Sequence, residues 1–358
     1  MSISPVISQP DTVSNALNGV ENIQVTFVGQ AAGWFRADLE PADSPSGASP
    51  SDAATVCRVH ITPTQPLPAR CTLQPVALFS HRDCEFFDLN SVMGKLMFQK
   101  GETQGQTYVP FTSDPQRALQ ELLIVVAPTP DDSLLASPNQ WRNASTVTAK
   151  LCDKAGLPWT GLTDSDISRL TSLEPWLYLI EGCALHAIAQ QSTHTNSRTP
   201  GLVIEVGSLR GQSTAMLALA LAGRQSDALV VSIDPHADTP SNHDQVRNTL
   251  AHIDQHHRLV QIPRTSEQAA AWIRPGSAAL VFIDGDHEAD AVAADFYAYA
   301  ELLAPGGFLA FHDYGYGPHN GRPDVVPGVR PTVDRHVFND DRFAPVMLAH
   351  TLMVFRKR

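Results

Sequence analysis

A regular alternation of short apolar strands with amphipathic helices runs through the second half of the chain, and it limits the possible folds more than any other feature. Strands are predicted by the apolar runs at 201–207, 228–235, 258–263, 278–286 and 306–314. This order predicts a mostly parallel sheet with helices on both faces, a Rossmann-like doubly wound α/β fold. Because ligands of such sheets bind at the carboxyl ends of the strands, the residues after each strand form the candidate site.

The helices of this half are predicted from the helical spacing of their apolar residues. They lie at 212–223, 243–253, 266–273, 288–303 and 329–338, and the segment 343–357 resembles a closing pair of strands. Ahead of the first strand, the segment 165–190 predicts one helix, or two with a break near Pro175.

The first half of the chain predicts a separate domain that is β-rich or mixed. The segment 23–35 predicts strand, turn and strand, 117–128 begins like a helix and ends like a strand, and the proline-containing 128–163 predicts a connecting segment. We therefore expect a flexible N-terminus over 1–20, an accessory domain over 21–156 and the doubly wound domain over 157–358. The accessory domain could bind substrate, cover the site or form the interface of a homo-oligomer.

Composition excludes several classes of protein. The formal charge of −12 argues against a protein that binds the nucleic-acid backbone, which needs a basic surface. No apolar run reaches the roughly 20 residues that span a bilayer. The five cysteines match no disulfide or zinc spacing and the N-terminus lacks the features of a signal peptide, so we expect reduced thiols and a cytoplasmic protein.

The turn after the first strand, EVGSLRGQS at 205–213, predicts a ligand site. Gly207 and Gly211 are spaced G-x-x-x-G, whereas a dinucleotide site uses G-x-G-x-x-G to hold a pyrophosphate. Glycine lets the backbone approach a ligand closely. Glu205, within the strand, suits a ligand that carries an ammonium group and not a pyrophosphate. The alternative is a glycine-rich turn that binds nothing.

The ends of the second and third strands carry two further candidates. Asp234 follows the second strand, where an acid can accept the hydroxyls of a ribose, or can simply close a turn. Ser266 follows the third strand and could cap the next helix, border an adenine ring, or do both.

The ends of the fourth and fifth strands place acids and imidazoles together. IDGDH ends the fourth strand with Asp284 and His287, and FHDY ends the fifth with His312 and Asp313. Carboxylates from neighbouring strand ends can hold a hard divalent cation such as Mg²⁺, which makes a substrate hydroxyl more acidic. A histidine beside them can take the proton. The alternative is that the aspartates cap turns and the histidines are ordinary polar residues.

Taken together, these motifs resemble those of class I S-adenosylmethionine (SAM)-dependent methyltransferases. The segment from IDGDH to FHDY further resembles the cephalosporin-hydroxylase-like and macrocin-type O-methyltransferases, which act on hydroxyls of sugars and other natural products. The resemblance implies a SAM site made of Glu205, Gly207, Ser208, Gly211, Ser213, Asp234, Ser266 and Asp284. It also implies Asp284 and Asp313 as metal ligands and His287 as the general base.

The chain departs from this family at His312, because the family often has an acid there. His312 is then a third metal ligand, which would favour Mn²⁺, Fe²⁺ or Zn²⁺ over Mg²⁺, or a group that takes part in proton transfer. The hypothesis is metal-assisted O-methylation of a sugar, glycan or other small molecule. Its alternatives are an NAD(P)-dependent oxidoreductase and a non-catalytic protein with the same fold. The glycine-rich segment 315–322 could be a substrate loop or a plain connection.

Overall fold

The computed structural model of the 358-residue chain comprises two compact units, residues 1–151 and 152–358. The residues that the structure describes are 11–12, 24–28, 32–42, 56–68, 71–81, 84–88, 96–98, 105–110, 118–128, 137–174, 176–192, 201–224, 226–237, 239–315, 326 and 328–358. Most of 1–20 and of the glycine-rich segment 315–322 therefore lies outside the described residues.

The first unit is built mainly of β-strands. They are β1 Asp11–Thr12, β2 Gln24–Val28, β3 Phe35–Ala42, β4 Val56–Pro63, β5 Cys71–His81, β6 Cys84–Asp88, β7 Leu96–Phe98, β8 Gly105–Pro110 and β9 Ala118–Pro128. One sheet has the order β1-β2-β9-β5-β6, with β7 also paired to β5, and a second has the order β3-β4-β8. The prediction of a β-rich region agrees with these strands.

Two local predictions in this region were wrong. The segment 117–128 begins with no helix, because Ala118–Pro128 is strand throughout, paired with β2 on one side and β5 on the other. Pairing with β5, which begins at Ala118, outweighs the helical propensity of its first residues.

A helix, α1, runs over Pro138–Lys154 inside the segment predicted as a connection. Its proline stands at the first helical position, where a missing N–H costs nothing. Ser137 and Gln140 form a capping box: the Ser137 hydroxyl accepts from the Gln140 N–H at 3.3 Å, and the Gln140 side chain accepts from the Ser137 N–H at 2.6 Å. That spacing was the overlooked sequence signal.

The second unit has the predicted alternation. Its helices are α2 Asp164–Leu170, α3 Leu179–Ser192, α4 Gln212–Gly223, α5 Ser241–His252, α6 Ser266–Ala270, α7 Ala289–Leu302 and α8 Val329–Thr332, which a π-helical turn continues over Val333–Val337. Its strands are β10 Leu202–Val206, β11 Val230–Ile233, β12 Leu259–Ile262, β13 Ala278–Ile283, β14 Leu303–Phe311, β15 Phe343–Ala349 and β16 Leu352–Lys357.

These strands lie in the order β12-β11-β10-β13-β14-β16-β15, and the sheet is parallel except for β16, which is antiparallel to both of its neighbours. The chain builds outward from β10 to β12 and then returns to add β13 on the other side of β10. The carboxyl ends of β10 and β13 therefore meet at a topological switch point, the usual ligand crevice of such a sheet. The prediction of a Rossmann-like, mostly parallel sheet is confirmed.

Helices α3 and α4 are buried on almost every side. Ten residues of α4, from Gln212 to Leu221, are buried, because α4 packs against the sheet on one side and against α3 on another. Both helices begin beside the carboxyl ends of the strands, so side chains near their N-termini can reach the crevice. Among the described residues, no helix combines the length and apolar character needed to cross a membrane.

His186 of α3 is a buried base with neither ring nitrogen hydrogen-bonded to any described residue. Its ring packs against Trp159, with 5.8 Å between the ring centroids. Burial lowers the pKa of His186 to about 4. An unpaired polar group in such a place costs free energy that an apolar side chain does not.

We expect His186→Leu to raise the free energy of unfolding and to reduce its dependence on pH. Because the pKa of His186 is lower in the folded than in the unfolded protein, the wild type loses up to about 3 kcal/mol as pH falls from 6.5 towards 4. Urea unfolding at pH 7.5 and pH 5 measures this, with the exposed His257→Leu as the control. An equal pH dependence in both variants would contradict it.

Candidate active site

The turn between β10 and α4 requires glycine at both predicted positions. Gly207 and Gly211 have φ of +85° and +90°, in the left-handed region that favours glycine. A Cβ on Gly207 would collide with the carbonyl oxygen of Asp284, the residue that follows β13. The Asp284 N–H donates to the Val206 carbonyl at 2.8 Å. The glycine therefore lets the ends of β10 and β13 meet without a side chain between them.

Glu205 is completely buried beneath this turn. Its Oε2 accepts a hydrogen bond from the Thr214 hydroxyl at 2.6 Å, while Oε1 has no hydrogen-bond partner among the described residues. Burial, reinforced by the charges of Asp284 and Asp234, raises the pKa of Glu205 to about 7. A buried carboxylate with an unused oxygen is a good acceptor for a ligand that carries N–H groups and positive charge.

Asp234 ties the end of β11 to the glycine-rich turn. Its Oδ2 accepts from the N–H groups of Ser208 and Leu209, each at 3.0 Å, and its Oδ1 accepts from the His236 N–H at 2.8 Å. The turn-closing role considered from the sequence is thus present. Each carboxylate oxygen can accept more than one hydrogen bond, so these contacts leave capacity for ligand hydroxyls.

Ser266 is the first residue of α6, and the residue that caps this helix is the preceding one, Thr265. Thr265 has extended backbone angles, and its hydroxyl accepts from the Gln268 N–H at 3.4 Å. The prediction that Ser266 caps α6 was therefore wrong by one residue. Ser266 instead joins α6 to α7, since its carbonyl accepts from the Tyr299 hydroxyl at 2.9 Å.

The acids and imidazoles from β13 and β14 do come together. The His312 Nδ1 lies 3.1 Å from the Oδ1 atoms of both Asp284 and Asp313, but hydrogen-bonds neither in good geometry. The His287 Nε2 lies 3.0 Å from Asp313 Oδ2 and 3.9 Å from Asp284 Oδ1. Ligand atoms of Asp284, His287 and Asp313 all lie within 4.8 Å of one another. We call these four residues the acid–imidazole cluster.

Glu181 of α3 is a site residue that the sequence analysis missed. It is completely buried, and its Oε2 lies 3.0 Å from Nε2 of His312. Its other oxygen, Oε1, lies 2.7 Å from Nδ1 of His350. The available signal was one acid within a helix whose first three turns are mostly apolar, because such a charge needs a buried partner.

The cluster balances its charges internally. Burial alone would raise the pKa of Glu181, but His312 and His350 outweigh it and hold that pKa well below its usual range. Burial likewise opposes protonation of His312, yet Asp284 and Glu181 raise its pKa well above 6.5. His287 and His312 overcome burial to lower the pKa of Asp313 to about 2, and the carboxylates of Asp284 and Asp313, as acceptors for the imidazole N–H, raise that of His287 to about 9.

Comparisons with known proteins cover the segment that contains these residues. A family model described as a methyltransferase domain matches residues 204–314, from β10 through the end of the FHDY motif. The uncharacterized protein R132 of Acanthamoeba polyphaga mimivirus is 26% identical over 178 residues, covering 47% of this chain and 78% of that protein.

Solved structures with a similar fold include two whose names state a methyltransferase activity. The O-methyltransferase from Bacillus cereus, in complex with SAH, is 15% identical with a TM-score of 0.41, covering 61% of this chain and all of that one. The O-methyltransferase TomG from Streptomyces achromogenes, involved in tomaymycin synthesis and in complex with SAM, is 18% identical with a TM-score of 0.39, covering 63% and 91%.

The family match and the strand order identify residues 204–314 as part of a class I SAM-dependent methyltransferase domain. The motifs of this segment are therefore those of a methyltransferase domain, as the sequence analysis predicted.

We expect Gly207→Ala to abolish cofactor binding, because the new methyl group would push apart the ends of β10 and β13. Gly276→Ala is the matched control, since Gly276 also has a positive φ, of +68°, but a Cβ there meets nothing within 4 Å. Calorimetric titration with S-adenosylhomocysteine measures the difference. Equal affinities of the two variants would show that the Gly207 contact is unimportant for the site.

Proposed function

We propose that this methyltransferase transfers the SAM methyl group to a hydroxyl of a sugar, glycan or other small-molecule natural product, assisted by a divalent cation. The observation that carries the proposal is the acid–imidazole cluster, which stands at the same sheet edge as the glycine-rich turn. Asp284 links them directly, because its backbone contacts Gly207 and its side chain belongs to the cluster.

The cofactor site is supported by unused polar capacity around the turn. We assign the unpartnered Oε1 of Glu205 to the ammonium group of SAM, and Asp234 to the ribose hydroxyls. Gly207, Ser208, Gly211 and Ser213 then surround the methionine part, where the left-handed turn and the start of α4 offer backbone N–H groups. Ser266 would border the adenine from the start of α6.

A cation fits the donor set of the cluster. Cis ligands of an octahedral ion with bonds of about 2.1 Å lie about 3 Å apart. The Nδ1 of His312 lies 3.1 Å from Oδ1 of Asp284 and of Asp313, which matches that spacing. We therefore assign these three side chains as ligands. A bound cation would make a coordinated hydroxyl more acidic.

His287 is the better placed of the two histidines for proton transfer. Its side chain is 38% exposed, whereas that of His312 is 10% exposed and tied to Glu181. The negative carboxylates of Asp284 and Asp313 raise the pKa of His287 to about 9, so His287 would hold a proton at neutral pH. A cation that neutralises Asp284 and Asp313 removes this cause and frees His287 to act as a base.

In the proposed methyl transfer, His287 is the only side chain that needs to gain a proton. His287 accepts the proton of the acceptor hydroxyl, the oxygen forms a bond to the methyl carbon, and the carbon–sulfur bond breaks. The sulfonium becomes the neutral thioether of S-adenosylhomocysteine. A protein that merely binds SAM needs no such base, so the exposed His287 beside the acids favours an enzyme.

Net charge and the state of the cysteines support the proposed acceptor class and cellular location. The formal charge of −12 disfavours a nucleic-acid acceptor and favours a small molecule. The buried Cys71, Cys152 and Cys183 are reduced cysteines, in keeping with the cytoplasmic location that we propose. Self-association through the first unit stays part of this proposal.

We expect Glu205→Gln to weaken S-adenosylhomocysteine binding by about 10- to 100-fold, since it replaces a charged hydrogen bond with a neutral one. The wild-type affinity should fall as pH drops through 7, where the Glu205 carboxylate gains a proton, and the variant should lack that step. Calorimetry between pH 6 and pH 8 measures both, with exposed Glu267→Gln as the control. A pH step that persists in Glu205→Gln would assign it to another group.

We expect the wild type to methylate a hydroxylated acceptor from a panel of sugars and glycosides, and His287→Ala to lower kcat by about 10²- to 10⁴-fold with unchanged cofactor affinity. Transfer of label from methyl-labelled SAM measures this, with and without a chelator. The proposal fails if the panel gives no labelled product, or if transfer proceeds at full rate in His287→Ala.

A further inference from the structure

Glu181 makes more polar contacts than any other acid described in the second unit. Its Oε1 lies 2.7 Å from His350 Nδ1 and accepts from the Thr351 N–H at 3.0 Å and the Thr351 hydroxyl at 2.5 Å. Its Oε2 accepts from the Tyr178 N–H at 3.0 Å and lies 3.0 Å from His312 Nε2. The first half of the chain contributes none of these contacts.

We propose that Glu181 is a positioning residue that turns His312 into a nitrogen ligand, and that the metal site consequently prefers a first-row transition-metal dication to Mg²⁺. This inference rests on the proposed function only in taking the acid–imidazole cluster as a metal site. It explains why a buried histidine stands between the carboxylates of Asp284 and Asp313.

The orientation of His312 supports the first part. A metal-bound histidine usually donates its second ring N–H to a carboxylate, which fixes the ring and its tautomer. Here Glu181 holds Nε2, and the opposite nitrogen, Nδ1, faces the two aspartates at 3.1 Å from each. The side chain is nine-tenths buried, and Nδ1 has no hydrogen-bond partner among the described residues. A buried, unpartnered nitrogen between two carboxylates is arranged as a ligand.

The rigidity of Glu181 supports it further. The carboxylate is held on one side by the backbone at the start of α3 and on the other by the turn between β15 and β16. It therefore cannot follow His312 if that ring rotates. Asp284 and Asp313 are fixed independently by the ends of β13 and β14, so three parts of the domain converge on one point.

The ligand chemistry supports the second part. Mg²⁺ prefers oxygen ligands in strict octahedral geometry, whereas imidazole nitrogen suits transition-metal ions. Exchanging one carboxylate for an imidazole removes a negative charge, which weakens the attraction for Mg²⁺ most, because Mg²⁺ gains little from nitrogen. Mn²⁺ tolerates both donor types and serves as a spectroscopic probe.

The first test is calorimetric titration of the full chain, saturated with S-adenosylhomocysteine, with Mn²⁺ and with Mg²⁺. We expect the wild type to bind Mn²⁺ at least about tenfold more tightly, and Glu181→Gln to weaken Mn²⁺ binding by roughly 10- to 100-fold. Thr351→Val is the matched control, because it removes a hydrogen bond from Glu181 without touching His312. It should keep near wild-type Mn²⁺ affinity even if it lowers the melting temperature.

The second test needs no folded Glu181 variant. Electron spin-echo modulation of bound Mn²⁺ detects a directly coordinated imidazole nitrogen, which should appear in the wild type and persist in His287→Ala. A signal that vanishes in His287→Ala would assign the nitrogen to His287 and overturn the role of His312. Tighter binding of Mg²⁺ than of Mn²⁺, equal losses of Mn²⁺ affinity in Glu181→Gln and Thr351→Val, or no Mn²⁺ binding at all would also overturn the inference.

These results separate the inference from the proposed function. Methyl transfer that proceeds without Mn²⁺ binding would keep the function and remove the role of Glu181. Mn²⁺ binding that depends on Glu181, in a protein that transfers no methyl group, would keep the metal site and remove the function.

Discussion

The close approach of β10 to β13 at their carboxyl ends is the constraint on which the site depends. The Val206 carbonyl accepts from the Asp284 N–H, and Gly207 leaves no side chain between the two strand ends. This contact brings the cofactor turn and the acid–imidazole cluster to one crevice. A strand order that did not place β10 beside β13 would separate them, because only neighbouring strands share such a backbone contact.

The second constraint is electrostatic. Glu181, Glu205, Asp284 and Asp313 all lie near this edge, and Glu181 and Glu205 are completely buried. Buried carboxylates of like charge raise one another's pKa unless cations or hydrogen bonds compensate them. The domain compensates Glu181 and Asp313 with histidines but leaves one oxygen of Glu205 unpartnered. Glu205 is therefore the least compensated of these carboxylates, and a ligand with positive charge would stabilise its ionised form.

Prediction from sequence succeeded where local pattern and tertiary structure agree. Of the five parallel strands of the second unit, β10, β11 and β13 were identified because both of their faces are buried, which gives continuous apolar runs. The residues after those strands followed from a topological rule and needed no coordinates. Prediction failed at the start of β9, where ladder pairing with β5 overrides local propensity, and at α1, where prolines concealed a capping box.

The sequence by itself determined the order of strands and helices, the glycine-rich turn and the acids at each strand end, because short-range periodicity and backbone sterics specify these. Only the tertiary structure decided that Glu181, 131 residues before His312, contacts the Nε2 atom of that ring. No local pattern encodes such a pair, because a helix side chain meets a strand end only after the sheet and α3 have packed. The charge of Glu181 was visible in the sequence, and its partner was not.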